Sequence, residues 1–137
     1  MANDVNESLR RLVAIRADYR CEYCLLHEDD SYSPHQVDHI ISRKHGGSSD
    51  ADNLAFACVR CNAWKGSDIA SLDARTGKVV GLFHPRRQRW EDHFLLRGAI
   101  IEPLTIEGEA TTRLLRLNLE KRMVERRLLA VVGRYPR

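Results

Sequence analysis

The chain has 137 residues, of which 43% are hydrophobic and 30% are charged. This balance is typical of an ordered globular protein of one ordinary domain, with room for an appendage, and argues against a disordered chain. The first eight residues contain no apolar signal segment, and no apolar run is long enough to span a bilayer. We therefore expect a cytoplasmic protein without a membrane partner.

The formal net charge of +3 is spread unevenly along the chain. Residues 1–82 contain 10 Lys and Arg against 12 Asp and Glu, whereas residues 83–137 contain 12 against 7. The second part is therefore the better electrostatic partner for a polyanion such as a nucleic acid. Simple solvation of helix faces by the same Arg and Lys side chains is an equally good interpretation.

Periodicity in the first half of the chain predicts two helices and two short strands. An apolar stripe predicts a helix over residues 7–19. A β-branched run predicts a strand over residues 37–41, and the next apolar run predicts a returning strand over residues 54–57. A long glycine-containing loop, residues 42–52, joins them, and a further helix is expected from residue 59 to about residue 65.

The second half of the chain is predicted to add a strand, a hairpin and two helices. A turn over residues 76–78 leads into a possible strand at residues 79–80. Two apolar runs joined by Arg97 and Gly98 predict a hairpin with Gly98 at positive φ. Helices are expected over residues 105–117 and 119–132, the second with Asn118 as its N-cap.

The four cysteines form two pairs with the same spacing, Cys21/Cys24 and Cys58/Cys61. Thiolates two residues apart can bind one ion from a tight turn, and two such turns complete a tetrahedral zinc site. In a reducing compartment this pattern favours a structural zinc over disulfides. The alternative is four buried cysteines that pack as small hydrophobic side chains.

Between the cysteine pairs lie side chains suited to phosphodiester hydrolysis. That reaction needs an activated water and a cation on the phosphate oxygens. The imidazole of His39 suits proton transfer near neutral pH. The oxygens of Asp38 and Asn62 suit a hard cation such as Mg²⁺.

The ordered set of motifs resembles the HNH (ββα-metal) endonuclease family in its four-cysteine form. The residues that carry the resemblance are Cys21-x-x-Cys24, Val37-Asp38-His39-Ile40, Gly46-Gly47, Asn53-Leu54 and Cys58-x-x-Cys61-Asn62-x-x-Lys65. The resemblance implies an α+β fold, in which a ββα core over residues 7–75 is stapled by the zinc knuckle. Residues 76–137 would form a basic extension, a hairpin and two helices, packed on that core.

The resemblance also implies a role for each residue of the motif. Asp38 and Asn62 would hold one catalytic Mg²⁺ or Mn²⁺ ion, and His39 would be the general base. Asn53 would pin the loop so that a backbone carbonyl orients the His39 ring. Because adjacent strand residues point to opposite faces, Asp38 and His39 can face one phosphate only if the strand is twisted or bulged there.

Six basic side chains are candidates for contact with nucleic acid. Arginine grips phosphate bidentately, and no predicted helix looks suited to reading the major groove, so we expect weak sequence preference. The candidates are Arg43, Lys44, Lys65, Arg86, Arg87 and Arg89.

The leading interpretation is a metal-dependent DNA endonuclease of low sequence specificity. Two alternatives remain open at this point: a non-catalytic, zinc-stapled nucleic-acid-binding module, and an RNase of the same fold. The sequence gives no oligomeric state.

Overall fold

The structure is a computed structural model that describes residues 5–137. Within that range the strands pair as antiparallel two-stranded sheets, β1–β2, β3–β4 and β5–β6. The elements in chain order are α1 (Glu7–Arg16), β1 (Gln36–His39), β2 (Leu54–Ala57), α2 (Val59–Lys65), β3 (Ala70–Leu72), β4 (Val79–Gly81), α3 (Trp90–His93), β5 (Phe94–Arg97), β6 (Ile100–Pro103), α4 (Ile106–Leu114) and α5 (Glu120–Val131). Mixed helices and small hairpin sheets agree with the expected α+β class.

The β1–β2 hairpin and α2 form a ββα unit at the centre of the chain. β2 is buried along its whole length, which suits its run of small and aromatic apolar residues. α2 starts at a cysteine cap, where Cys58 Sγ accepts from the Cys61 amide, and it ends at Gly66. On the N-terminal side, Val13 and Ala14 of α1 pack in one cluster with β2.

The main core joins the cysteines to aromatic and aliphatic side chains from the second half of the chain. All four cysteines belong to one buried cluster together with Phe83, Phe94, Ile101, Leu115 and Leu117. Burying a side chain of this size contributes about 1.5–3 kcal/mol. Both parts of the chain therefore contribute to one core, and the boundary at residue 75 stays a prediction.

The β5–β6 hairpin matches the sequence prediction, including Gly98 at φ 61°. The expected cap at Asn118 requires correction, because α5 is preceded directly by Leu119 and the Asn118 side chain is used elsewhere. Its Oδ1 accepts from the Ile101 amide at 2.9 Å, and its Nδ2 donates to the Ile101 carbonyl at 2.8 Å. Asn118 thus supplies hydrogen bonds to the open edge of β6.

β3 was not predicted, although its partner β4 was. Its run Ala70-Ser71-Leu72 has no β-branched or aromatic side chain, whereas β4 begins with two valines. None of the helices within residues 5–137 combines the length and apolar character that crossing a membrane requires.

Candidate active site and metal centre

The four cysteine sulfurs converge although the two pairs are far apart in sequence. The Sγ atoms of Cys21, Cys24, Cys58 and Cys61 all lie within 4.8 Å of one another. Cys24 Sγ and Cys58 Sγ are 3.7 Å apart, too far for a disulfide. Tetrahedral zinc with Zn–S bonds of about 2.3 Å separates its sulfurs by about 3.8 Å, so the spacing fits such an ion.

Backbone amides point at the first sulfur of each cysteine pair. The amides of Tyr23 and Cys24 both donate to Cys21 Sγ at 3.4 Å. The Cys61 amide donates to Cys58 Sγ, also at 3.4 Å. Because these bonds favour thiolates and all four ligand positions are protein side chains, the cluster suits a structural metal such as zinc.

Asp38 lies in the buried interface between β1, α2 and the first cysteine pair. The Tyr23 hydroxyl donates to its Oδ2 at 2.9 Å, and Lys65 Nζ lies 3.2 Å from the same oxygen. Burial raises the pKa of Asp38, while the charge of Lys65 acts in the opposite direction. Lys65 Nζ also donates to Oδ1 at 3.3 Å, so these contacts occupy most of the about four acceptor positions of this buried carboxylate.

The structure corrects the expectation that Lys65 contacts phosphate. A phosphate contact needs an exposed ammonium, but Lys65 is only 2% exposed. Besides Asp38, Nζ donates to the carbonyls of His39 at 3.2 Å and Ile40 at 3.0 Å. Lys65 therefore links α2 to the end of β1 and balances the charge of Asp38.

Replacing Lys65 with methionine is expected to destabilise the fold by about 3–5 kcal/mol, because it leaves the buried Asp38 carboxylate without its counter-charge. Urea unfolding followed by circular dichroism measures the change. Lys44→Met, at an exposed position, is the matched control and should shift the free energy of unfolding by at most about 0.5 kcal/mol. Equal unfolding midpoints for the two variants would contradict the structural role of Lys65.

His39 ends β1, and its ring is held by the loop that follows. A hydrogen bond of 2.9 Å joins His39 Nε2 to Ser49 Oγ. Of the two expected distortions, twist or bulge, the bulge is absent, because Asp38 pairs with Ala55 and His39 with Leu54 in an uninterrupted register. The two side chains consequently leave the strand toward different partners: Asp38 meets Tyr23 and Lys65, and His39 meets Ser49.

Asn53 fastens both ends of the loop that carries Ser49. Its Oδ1 accepts from the Ile41 amide at 3.0 Å, and its Nδ2 donates to the carbonyls of Ile41 at 2.9 Å and Ser48 at 2.7 Å. The loop passes so close that a Cβ on Gly47 would lie 1.8 Å from the Ile41 carbonyl oxygen. Only glycine fits there without moving the backbone.

Asn62 faces the same side of β1 as Asp38 but is bonded to a different residue. Its Nδ2 donates to Gln36 Oε1, two residues before Asp38 on the strand. This orientation leaves the Asn62 Oδ1 atom without a recorded donor within residues 5–137. The structure thus places Asn62 and Asp38 along one face of the hairpin, with Lys65 beside Asp38.

The remaining basic candidates differ in exposure. Arg43, Lys44 and Arg87 are exposed, and Arg89 is exposed but paired with Glu91 at 2.8 Å. Arg86 is not a surface side chain, because its guanidinium forms an ion pair with Glu22 in which both side chains are mostly buried. Because Arg86 also lines a cleft beside the His39 loop, its expected phosphate contact stays a prediction.

A cleft of about 440 Å³ separates the loop after β1 from the segment that follows β4. Gly46 and Ser48 lie on one wall, and His84 and Arg87 lie on the other. Burial lowers the pKa of His84, and the positive charge of Arg87 lowers it further. A lowered pKa favours the neutral imidazole, so the unpaired charge of this wall, among the described residues, is the exposed guanidinium of Arg87, and Asp52 places a carboxylate in the same cleft.

A comparison with family models identifies the domain that contains the cysteine cluster and His39. Residues 21–68 match the model of the family described as HNH endonuclease. Those residues form an HNH endonuclease domain. The match covers less than half of the chain, and no curated protein and no solved structure matches it significantly.

The HNH domain includes both cysteine pairs, the β1–β2 hairpin and α2. Its family indicates nuclease-type activity, a nucleic-acid substrate and dependence on a metal ion. Sequence reasoning missed two contributors to the HNH site, Ser49 and Tyr23. A serine in a loop and a buried tyrosine carry no local signal of a partner, so only the three-dimensional contacts identify them.

Proposed function

We propose that the chain is a metal-dependent endonuclease that hydrolyses phosphodiester bonds in DNA with low sequence specificity. The observation that carries the proposal is the fixed His39 ring in an HNH domain. Ser49 occupies Nε2, and no protein donor or acceptor within residues 5–137 is recorded at Nδ1. In the proposed tautomer Nε2–H donates to Ser49 Oγ, so Nδ1 keeps the free lone pair that accepts a proton from an attacking water.

In the proposed mechanism, His39 Nδ1 removes the proton from water as its oxygen bonds to phosphorus. The bond from phosphorus to the 3′-oxygen then breaks, and this oxygen takes a proton from solvent water, which leaves a 5′-phosphate and a 3′-hydroxyl, as in similar enzymes. Ser49 keeps the imidazole in place, so little rotational freedom is lost when the transition state forms. Asn53 contributes indirectly, because it fixes the loop that carries Ser49.

Asp38 and Asn62 would hold a divalent ion such as Mg²⁺ or Mn²⁺. Because β1 has no bulge, that ion and the His39 ring can act on one phosphate only through the twist of the strand. Their donors fit such an ion, since carboxylate and amide oxygens are the hard ligands it prefers, and the Asn62 amide already turns its nitrogen toward Gln36. A bound ion supplies charge stabilisation for the phosphate oxygens and the leaving 3′-oxygen. The Lys65 ion pair keeps the Asp38 carboxylate in a defined orientation.

One observation favours the alternative of a non-catalytic, zinc-stapled binding module. Asp38 already has a buried partner in Lys65, and the two hydrogen bonds that Lys65 donates to backbone carbonyls hold it there. In that module Asp38 would be purely structural, and the chain would bind nucleic acid without cutting it.

The decisive experiment incubates the protein with supercoiled plasmid DNA and with structured RNA in Mg²⁺, in Mn²⁺ and in a chelator. Nicking or linearisation of the plasmid only in the presence of a metal supports the proposal. Cleavage of RNA alone supports an RNase of the same fold. Binding of DNA without cleavage in any metal supports the non-catalytic module.

The cleft predicts which arginine guides the DNA backbone. Arg87→Ala should weaken DNA binding and lower the slope of log K against log salt by about 0.9, the loss expected for one phosphate contact. The measurement is fluorescence anisotropy at several salt concentrations. Arg97→Ala is the matched control, because Arg97 is exposed and paired with Glu102 on the β5–β6 hairpin. Equal slopes for the two variants would remove Arg87 from the interface.

A further inference from the structure

A buried arginine from α5 reaches the cysteine cluster. Arg122 Nη2 lies 3.1 Å from Cys61 Sγ and 3.9 Å from Cys58 Sγ, and the residue is only 3% exposed. Its Nη1 donates to the Leu115 carbonyl at 2.8 Å. Arg122 lies far outside residues 21–68, so the family match says nothing about it.

The charges of the two groups are complementary. A divalent ion bound by four thiolates carries a formal net charge of about −2, and such a charge is costly to bury without compensation. A buried guanidinium has the same difficulty with the opposite sign. Here the two lie side by side, so each reduces the cost of burying the other.

Arg122 also donates to a sulfur that receives no hydrogen bond from a backbone amide within residues 5–137. Amides donate to the first sulfur of each pair, Cys21 and Cys58. In the described part of the chain, no amide donates to Cys61 Sγ, and Arg122 Nη2 is its charged donor. The Trp64 ring, 5.8 Å from the guanidinium carbon, covers Arg122 on one side.

We propose that Arg122 donates a hydrogen bond to the metal-bound Cys61 thiolate. Through this contact α5 stabilises the metal centre and slows the loss of its ion. The proposal depends on a metal at the four cysteines, but it does not depend on nuclease activity. Partners of this kind outside the ligand set typically change metal affinity by about 10–100-fold when removed.

The chain offers a matched control for Arg122 on the same helix. Arg126 lies one turn further along α5, is equally buried at 3% exposure, and bonds to the Ala99 carbonyl and to Asn118 Oδ1 instead of to sulfur. Arg122→Met and Arg126→Met therefore remove the same charge from the same helix. They differ in whether the lost contact was to a cysteine.

The first measurement follows zinc transfer from each variant to a chromogenic chelator, in native buffer, after circular dichroism has shown that the proteins are folded. Arg122→Met should release zinc about 10–100-fold faster than the unmodified chain. Arg126→Met should release it at the unmodified rate. Equal release from both variants, or unmodified release from Arg122→Met, would overturn the proposal, as would purified protein without a metal ion.

The second measurement uses Arg122→Lys loaded with Co²⁺, which keeps the positive charge and serves if Arg122→Met does not fold. Weakening a hydrogen bond to sulfur shifts the thiolate-to-cobalt charge-transfer band to lower energy, and a purely structural arginine would not affect that band. A shift relative to cobalt-loaded Arg126→Lys supports the proposal, and identical spectra refute it. Neither measurement involves DNA cleavage, so failure of the proposed endonuclease activity would be seen separately.

Discussion

His39→Ala should cut DNA about 10²–10⁴-fold more slowly than the unmodified chain, because a positioned general base contributes a factor of that size. Binding of DNA should change little. His39 Nε2 is bonded to Ser49, and Nδ1 faces the attacking water, so neither ring nitrogen holds phosphate in the proposed mechanism. Single-turnover cleavage of plasmid DNA in Mg²⁺ and in Mn²⁺ measures the rate. Anisotropy with a short duplex, in a chelator, measures binding.

Two further variants separate catalysis from loop structure. Ser49→Ala should lower the cleavage rate by less than His39→Ala does, because the base remains while its orientation is loosened. His45→Ala changes an exposed histidine in the same loop, and it should cleave at the unmodified rate. If His39→Ala cut DNA as fast as His45→Ala, His39 could not be the general base.

The second large effect is expected at the cysteines. Replacing Cys58 and Cys61 together with serine should abolish zinc binding and unfold the HNH domain. A structural zinc contributes about 10 kcal/mol or more to the folding of small modules, which is comparable to the whole stability of a domain. Elemental analysis measures the metal, and thermal unfolding by circular dichroism measures the fold.

The matched control introduces serine beside the cluster without removing a sulfur. Ala57→Ser changes a buried residue directly before Cys58 and should keep stoichiometric zinc with a modest loss of stability. Freshly purified chain without tightly bound zinc would refute the metal assignment. So would a double serine variant that melts like Ala57→Ser.

Elements with local signals were predictable from the sequence. β2 and α2 lie at the predicted residues, because a short apolar run and a helix that ends at Gly66 are encoded within a few positions. The β5–β6 hairpin was predicted from two apolar runs joined by Arg97 and a glycine that can adopt positive φ. The convergence of the cysteines was predicted as well, since the repeated spacing implies a common ligand.

Elements and contacts that depend on distant neighbours were not predictable in the same way. Asparagine is a common helix N-cap residue, but the side-chain amide of Asn118 binds backbone groups at the edge of β6 instead. The local sequence does not show that those backbone groups lie nearby and need hydrogen-bond partners. Lys65 lies three positions after Asn62, which places both on one face of α2 and led to the expectation of an exposed lysine. Its burial follows only once α2 is packed against the end of β1.

The site shows the same division. Motif spacing alone identified the four candidate residues Asp38, His39, Asn53 and Asn62, all of which lie within the family match. Their hydrogen bonds could not, because Ser49, Tyr23, Gln36 and Lys65 meet them only through loop closure and helix packing. The uninterrupted register of β1 excludes the bulge, one of the two distortions expected there, since the alternation of strand side chains is maintained through His39.

The position of Arg122 also sets an order of events while the chain is being synthesised. All four cysteines emerge from the ribosome before α5, and translation adds about 5–20 residues per second. For several seconds the sulfurs are therefore available to a metal donor without the arginine that later covers them. If Arg122 protects the ion as proposed, delivery would be easiest in that interval, and docking of the helix would slow exchange with the surrounding metal pool.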